Sequence, residues 1–361
     1  MRLLFDSHLD LAWNALSFNR DQTLAAEELR RREAHMKDER ARGRSTTSLP
    51  ELRRAGAAVV VATLLARGGP EQEPRETFRR TDLDFATPSI AHATAHGQLA
   101  YYRLLEEEGQ LRMLRTSRDL EAHWRAWETS GGDGPIGFIL SMEGTDPITS
   151  PAQAEAWWAA GLRAAGLAHY GRGQHAYGTH TEGPLSQAGV ELLGEFRRLG
   201  MILDVTHLCD RSFYQALDVF DGPVLASHHN CRALVPGDRQ LTDDQIKLLL
   251  ARDAVIGAAL DAWMLYPGWE RGKTSPQVVG LEAVADHIDH ISQIAGNARH
   301  SAIGSDLDGG FGTEQTPRDL DTYGDLHKLE SILAARGYRP ADIDGIFHGN
   351  WLRFFKAALP G

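Results

Sequence analysis

The chain has 361 residues and a formal net charge of −11. That balance leaves no basic footprint for nucleic acid, and no apolar run is long enough to span a bilayer, so neither a nucleic acid nor a membrane is an expected partner. The two cysteines, Cys209 and Cys231, are too few for a disulfide framework; with no signal peptide fitting ahead of the first strand, they point to the cytoplasm.

The first element is a buried strand ending in Phe5-Asp6-Ser7-His8-Leu9-Asp10-Leu11. Residues i and i+2 of a strand share a face, so His8 and Asp10 can present an imidazole and a carboxylate to one point. Alone, such a pair is usually structural. A charged segment follows, helical over 25–33 and read as a solvated face. Residues 57–65 form the second strand, 68–84 a loop, and 89–107 a helix. The third strand covers 135–143, followed by a helix over 152–163 and a fourth strand over 165–170. A helix over 187–199 stops at Gly200; the fifth strand is 201–208. Asp210 caps a helix over 211–219, and the sixth strand is 223–228. Thr242 and Gln245 form a capping box ahead of a helix to residue 251. The seventh strand is 254–263, a helix runs over 281–294, and the eighth strand is 301–306. Helices fill the C-terminus. Eight apolar runs alternating with helices predict a parallel sheet closed as a (β/α)8 TIM barrel, one domain over residues 1–361. No Gly-x-Gly-x-x-Gly turn follows a strand, which disfavours a dinucleotide-binding open sheet.

The C-terminal rim of such a barrel carries the active site. Here the strand ends deliver His8 and Asp10, Glu143, His169, His207, His228, and Asp306 with Asp308. Core histidines would be scattered along the strands, so this coincidence predicts a metal site. A single catalytic zinc takes three protein ligands. The five residues His8, Asp10, Glu143, His207 and His228 suit two metals sharing a carboxylate, and Glu143, between the other two pairs in sequence, is placed to bridge.

These residues resemble the membrane (renal) dipeptidases of the amidohydrolase superfamily. The resemblance covers nearly the whole chain and is carried by Asp6-Ser7-His8-Leu9-Asp10-Leu11, Met142-Glu143-Gly144, Leu167-Ala168-His169-Tyr170, Asp204-Val205-Thr206-His207, Ala226-Ser227-His228, Gly304-Ser305-Asp306-Leu307-Asp308-Gly309 and Gly349-Asn350-Trp351-Leu352-Arg353. It implies a metallo-dipeptidase with two Zn2+ per chain acting through a metal-bridging hydroxide. His8 and Asp10 hold one ion, His207 and His228 the other, and Glu143 bridges in place of the modified lysine of other amidohydrolases. It further implies that His169 helps stabilise the tetrahedral intermediate, that Arg239 holds the carboxylate of a dipeptide-like substrate, that Asp306 manages the proton, and that Trp13 lines the pocket, though packing at the barrel mouth is an equal reading for Trp13. The chain departs from the animal enzymes in strand two, which lacks their Phe-Trp-Ser; in strand seven, where Leu260-Asp261-Ala262-Trp263 replaces an Asn-Phe-Tyr run; and in His229, where a serine is usual. These departures bear on the pocket walls rather than the metals. Neither the secretion signal nor the lipid-anchor signal of the animal enzymes is expected.

Two other functions fit the same residues: hydrolysis of N-acyl amino acids or β-lactams on the same metal pair, and a catalytically silent metal-binding regulatory protein, for which Asp306 as a proton shuttle has no use. A homodimer is an open option for assembly. Among the remaining candidates, His287 and His290 read as a helix-face pair rather than half a metal site. His175 and His180 read as exposed loop histidines ahead of a substrate-facing role, and His229 takes a supporting or pocket role. Asp308 is expected to hold a histidine tautomer, and both cysteines to be apolar fillers.

Overall fold

A computed structural model describes residues 2–69, 82–132 and 134–361. Part of the expected 68–84 loop, residues 70–81, lies outside the described residues. The strands are β1 Leu4–Leu9, β2 Ala57–Leu65, β3 Leu111–Met113, β4 Ile136–Glu143, β5 Leu162–Gly166, β6 Ile202–Asp204, β7 Val224–Leu225, β8 Ile256–Ala258 and β9 Ser301–Ile303. All pair in parallel, in the order β1-β2-β4-β5-β6-β7, with β8 on β9. A parallel bridge from Ala226 to Ile256 joins β7 to β8. β3 pairs with the first residues of β4, below the stretch that β5 occupies. Every residue of β2 and β4 is buried, because a parallel sheet is covered on both faces.

The curl closes between β9 and β1 through loop and side-chain bonds rather than a strand ladder. Asp6 is fully buried and accepts from the backbone N–H of Ser305 at 2.9 Å and of His8 at 3.2 Å, while the Tyr323 hydroxyl donates to its other oxygen at 3.0 Å. Asp204 does similar work between β6 and β7, accepting from the N–H of Thr206 and Ser227. The architecture is the expected (β/α)8 TIM-barrel class.

Several boundaries differ from expectation. The helix expected over 152–163 stops at Ala160, because Gly161 takes a left-handed conformation (φ 118°), and β5 starts at once at Leu162. The fourth strand therefore precedes, rather than contains, His169. Strands five to eight are shorter than their apolar runs, since the chain leaves the ladder to bring side chains onto the rim: His207 (φ 69°) and Asp306 (φ 57°) are left-handed, a region that His and Asp enter more readily than most residues. Asp210 is not a cap. Cys209 occupies that position, and Asp210 instead pairs with Arg232 at 2.7 Å. The charged stretch after β1 is not only a solvated face, because Glu33 is buried between Arg20 and Arg42 at 2.8 Å from each. Gly200 and the Thr242–Gln245 capping box end and begin their helices as expected.

Candidate metal centre

The rim gathers its polar groups around one carboxylate oxygen. Glu143 Oε1 lies 3.6 Å from His8 Nε2, 3.1 Å from His207 Nε2, 3.3 Å from His228 Nε2 and 3.8 Å from His169 Nε2. His8 Nε2 is 3.7 Å from Asp10 Oδ2 and 3.8 Å from Asp306 Oδ1. His207 Nε2 and His228 Nε2 are 3.3 Å apart. All of these residues except Asp306 and His169 are buried.

The local chain explains the placement. Asp10 sits where β1 turns into the helix Leu11–Phe18 and accepts a short hydrogen bond from the Thr63 hydroxyl of β2. Glu143 is the last residue of β4. Gly309 runs so close to the Asp306 carboxylate that a side chain at 309 would collide with it. The outer nitrogens of the histidines are held too: the Thr179 hydroxyl is 3.0 Å from His207 Nδ1, and the Ser227 hydroxyl 2.9 Å from His228 Nδ1. Such contacts orient a metal-binding imidazole and leave Nε2 to face inward.

The donor set fits divalent ions. A tetrahedral site with bonds of about 2.1 Å has donor–donor edges of roughly 3.4 Å. The inner distances, 3.1–3.8 Å, cluster around that value, longer than most direct hydrogen bonds. His8 Nε2 is buried without a hydrogen-bond partner, a cost unless a cation takes it. Three overlapping groups have ligand atoms within 4.8 Å of one another: His8, Asp10 and Glu143; Glu143, His207 and His228; and His8, His228 and Asp306. Glu143 belongs to two of them, as a bridge requires. Three imidazoles and two carboxylates form a borderline donor set that suits zinc.

Electrostatics point the same way. Burial holds His207 and His228 well below the usual histidine value, reinforced by Arg239 and neighbouring imidazoles, so their lone pairs stay available. Burial opposes charge on His8, yet Glu143 and Asp10 outweigh it and raise that residue well above the usual value. Burial raises Glu143, and His8 partly offsets it. The cluster is thus short of positive charge. Asp306 is pushed well above the carboxylate range by burial and by Asp10, Glu143 and Asp261.

A cavity of about 640 Å³ opens over the centre and is lined by Asp10, Glu143, His169, His207, Arg239 and Asp306 among others. Arg239 is 1 % exposed; Nη2 donates to His228 O at 2.9 Å while Nη1 has no partner. Trp13 lines the same cavity and also packs edge-on to Phe18, its indole N–H donating to Asp82 O. His180 stands exposed at the mouth beside Tyr170. His175 is buried on the Thr145 hydroxyl and is not an exposed loop residue. His229 is buried beside Arg239 and belongs to none of the three groups. Asp308 holds no histidine: its carboxylate accepts from the hydroxyls of Ser45 and Thr46 at 2.6 Å, clamping the segment after the charged helix. His287 accepts the Cys231 N–H at 3.0 Å and His290 pairs with Asp243, so neither belongs to a metal site. Both cysteines are buried.

Residues unforeseen in the sequence include Thr63, Thr179 and Ser227, which steady the candidate ligands, and Arg67, which lines the cavity; Asp261 and Trp263, from the strand-seven stretch expected at the pocket walls, line it as well. The hydroxyl residues sit next to ligands in space or one strand away, a weak signal without coordinates.

The family model for membrane dipeptidases (peptidase family M19) matches residues 2–359. A Klebsiella pneumoniae protein from the pqqA 5′ region is 29% identical over 270 residues, 72% of this chain and 94% of that protein. Dipeptidase aclJ of Aspergillus oryzae is 31% identical over 225 residues, 61% of this chain but only 51% of its own length. The chain thus spans nearly all of the first relative and about half of the second. Among solved structures, a Rhodobacter sphaeroides metallopeptidase bound to a phosphinate mimic of the dipeptide L-Ala-D-Ala superposes with a TM-score of 0.78 at 22% identity, over 99% of each chain. No helix among the described residues is long and apolar enough to cross a membrane.

Proposed function

Because the chain belongs to the membrane dipeptidase family, we propose that it hydrolyses the peptide bond of dipeptides with two zinc ions held at the rim. The observation that carries this reading is the position of Glu143 Oε1, within 3.1–3.6 Å of Nε2 of His8, His207 and His228. On this reading His8 and Asp10 hold one ion, His207 and His228 the other, and Glu143 both. Such a pair, when bound, lowers the pKa of a water to about 7, supplies hydroxide and polarises the scissile carbonyl.

The remaining work falls to the chain. Arg239 offers a buried guanidinium with a free Nη1 to the substrate carboxylate, which fixes orientation. His169 donates a hydrogen bond to the oxyanion of the tetrahedral intermediate. With the cluster's missing positive charge supplied by bound ions, Asp306 would be ionised, take the proton of the attacking water and return it to the leaving amine. Trp13 closes one wall. The cytoplasm is the compartment this reading assigns, on two free cysteines.

A screen of L,L and L,D dipeptides with added zinc tests the reading. Turnover of dipeptides above that of N-acyl amino acids and β-lactams is expected. Preference for the latter two assigns the alternative amide hydrolysis, and metal uptake without any turnover removes the enzyme reading.

A further inference from the structure

Two residues past β2, Arg67 enters the cavity wall. Its backbone is fixed on both sides: the Arg67 N–H donates to Leu83 O and the Phe85 N–H to Arg67 O, each at 2.8 Å. Its guanidinium is forked onto Asp84, Nε to Oδ1 at 2.6 Å and Nη2 to Oδ2 at 2.7 Å. Nη1 is left over, and it lies 3.4 Å from His169 Nδ1. The loops that carry Arg67 and His169 are tied together by buried Asp146, which accepts from Gly68 N–H at 2.9 Å and Gln174 N–H at 2.8 Å. They also touch directly, since a side chain at Gly69 would strike the backbone of Arg172.

A guanidinium can only donate. Facing it, Nδ1 of His169 accepts, and a neutral imidazole that accepts at Nδ1 carries its proton on Nε2. Nε2 is the atom turned to the centre, 3.8 Å from Glu143 Oε1. We propose that Arg67, braced by Asp84, is a positioning residue that confines His169 to the Nε2–H tautomer and aims that N–H into the reaction space. The opposite tautomer sets N–H against N–H at Nδ1 and leaves a bare lone pair where a developing oxyanion needs a donor. The inference rests on the reading of His169 as an oxyanion donor.

The test uses the zinc-loaded enzyme labelled with 15N-histidine. Long-range 1H–15N spectra report which ring nitrogen of His169 is protonated, with His169→Gln identifying its signals. The expected result is a protonated Nε2 in the wild type and a mixed or reversed tautomer in Arg67→Met. Turnover should fall on the order of ten- to a hundred-fold with KM little changed, and Arg67→Lys, which keeps a donor, should recover part of it. Asp84→Asn loosens the brace and serves if Arg67→Met fails to fold. A wild-type His169 protonated on Nδ1, or a tautomer indifferent to these substitutions, overturns the inference. Should the wild type hydrolyse no dipeptide, the dipeptidase reading falls while the tautomer still decides the role of Arg67.

Discussion

Replacing Asp306 by asparagine separates two jobs that the geometry allows. Its Oδ1 is 3.8 Å from His8 Nε2, and with His8 and His228 it forms a group tight enough to hold an ion. It also stands at the cavity, with its side chain 15% exposed, where a proton can be taken up and passed on. Asparagine suits the site: it enters the left-handed region that Asp306 occupies at φ 57°, and it is no larger, which matters because Gly309 presses against the carboxylate. An amide cannot carry the proton. If Asp306 is the proton carrier, kcat falls about 10²–10⁴-fold, roughly 3–5 kcal/mol of transition-state stabilisation, while elemental analysis still finds the wild-type zinc content. Steady-state kinetics on the best dipeptide, alongside metal analysis, reads both. Near-normal turnover removes Asp306 from the chemistry; loss of zinc in step with activity makes it a ligand and refutes the proton role.

Arg239→Ala should raise KM for dipeptides on the order of tenfold to a hundredfold, the worth of a buried charge-assisted hydrogen bond, and leave C-terminally amidated analogues untouched; equal losses on both count against the carboxylate clamp. Stripping metal with a chelator should lower the melting temperature by about 10 °C, from two sites each contributing roughly 4 kcal/mol at a thousandfold excess over Kd; an unchanged melting curve argues against resident ions. Burial, then repulsion from His290, lowers His287 from the usual histidine value to about 3. The unfolded chain therefore binds that proton first, and stability present above about pH 6.5 is lost as pH falls toward 3. In His287→Asn the urea-derived free energy should decline less by about 1.2 kcal/mol between pH 6 and 5, and identical slopes would rule this contribution out.

The site was more legible than the fold around it. His8, Asp10, Glu143, His207 and His228 could be found because each lies at or just past the end of an apolar run, so position alone brought them to one rim. Boundaries were harder: Trp157 through Tyr170 is almost continuously apolar or small, and only the backbone of Gly161 divides helix from strand. β3 is three residues long and leaves no periodicity to detect. Asp308 was misread for a geometric reason. Pairing it with Asp306 on one face assumes extended chain, whereas both residues are left-handed, at φ 63° and 57°, and their side chains diverge. The fork of Asp84 on Arg67 depends on a chain return alongside the end of β2, 17 residues on, that no local pattern encodes.

Dipeptide hydrolysis at this rim requires a pair of cations meeting at Glu143. Anomalous diffraction from zinc-grown crystals, recorded on both sides of the zinc edge, measures that directly. Two peaks about 3.5–4 Å apart, one beside His8 and Asp10 and the other beside His207 and His228, are the predicted result. A single peak, or density that avoids Glu143, contradicts it.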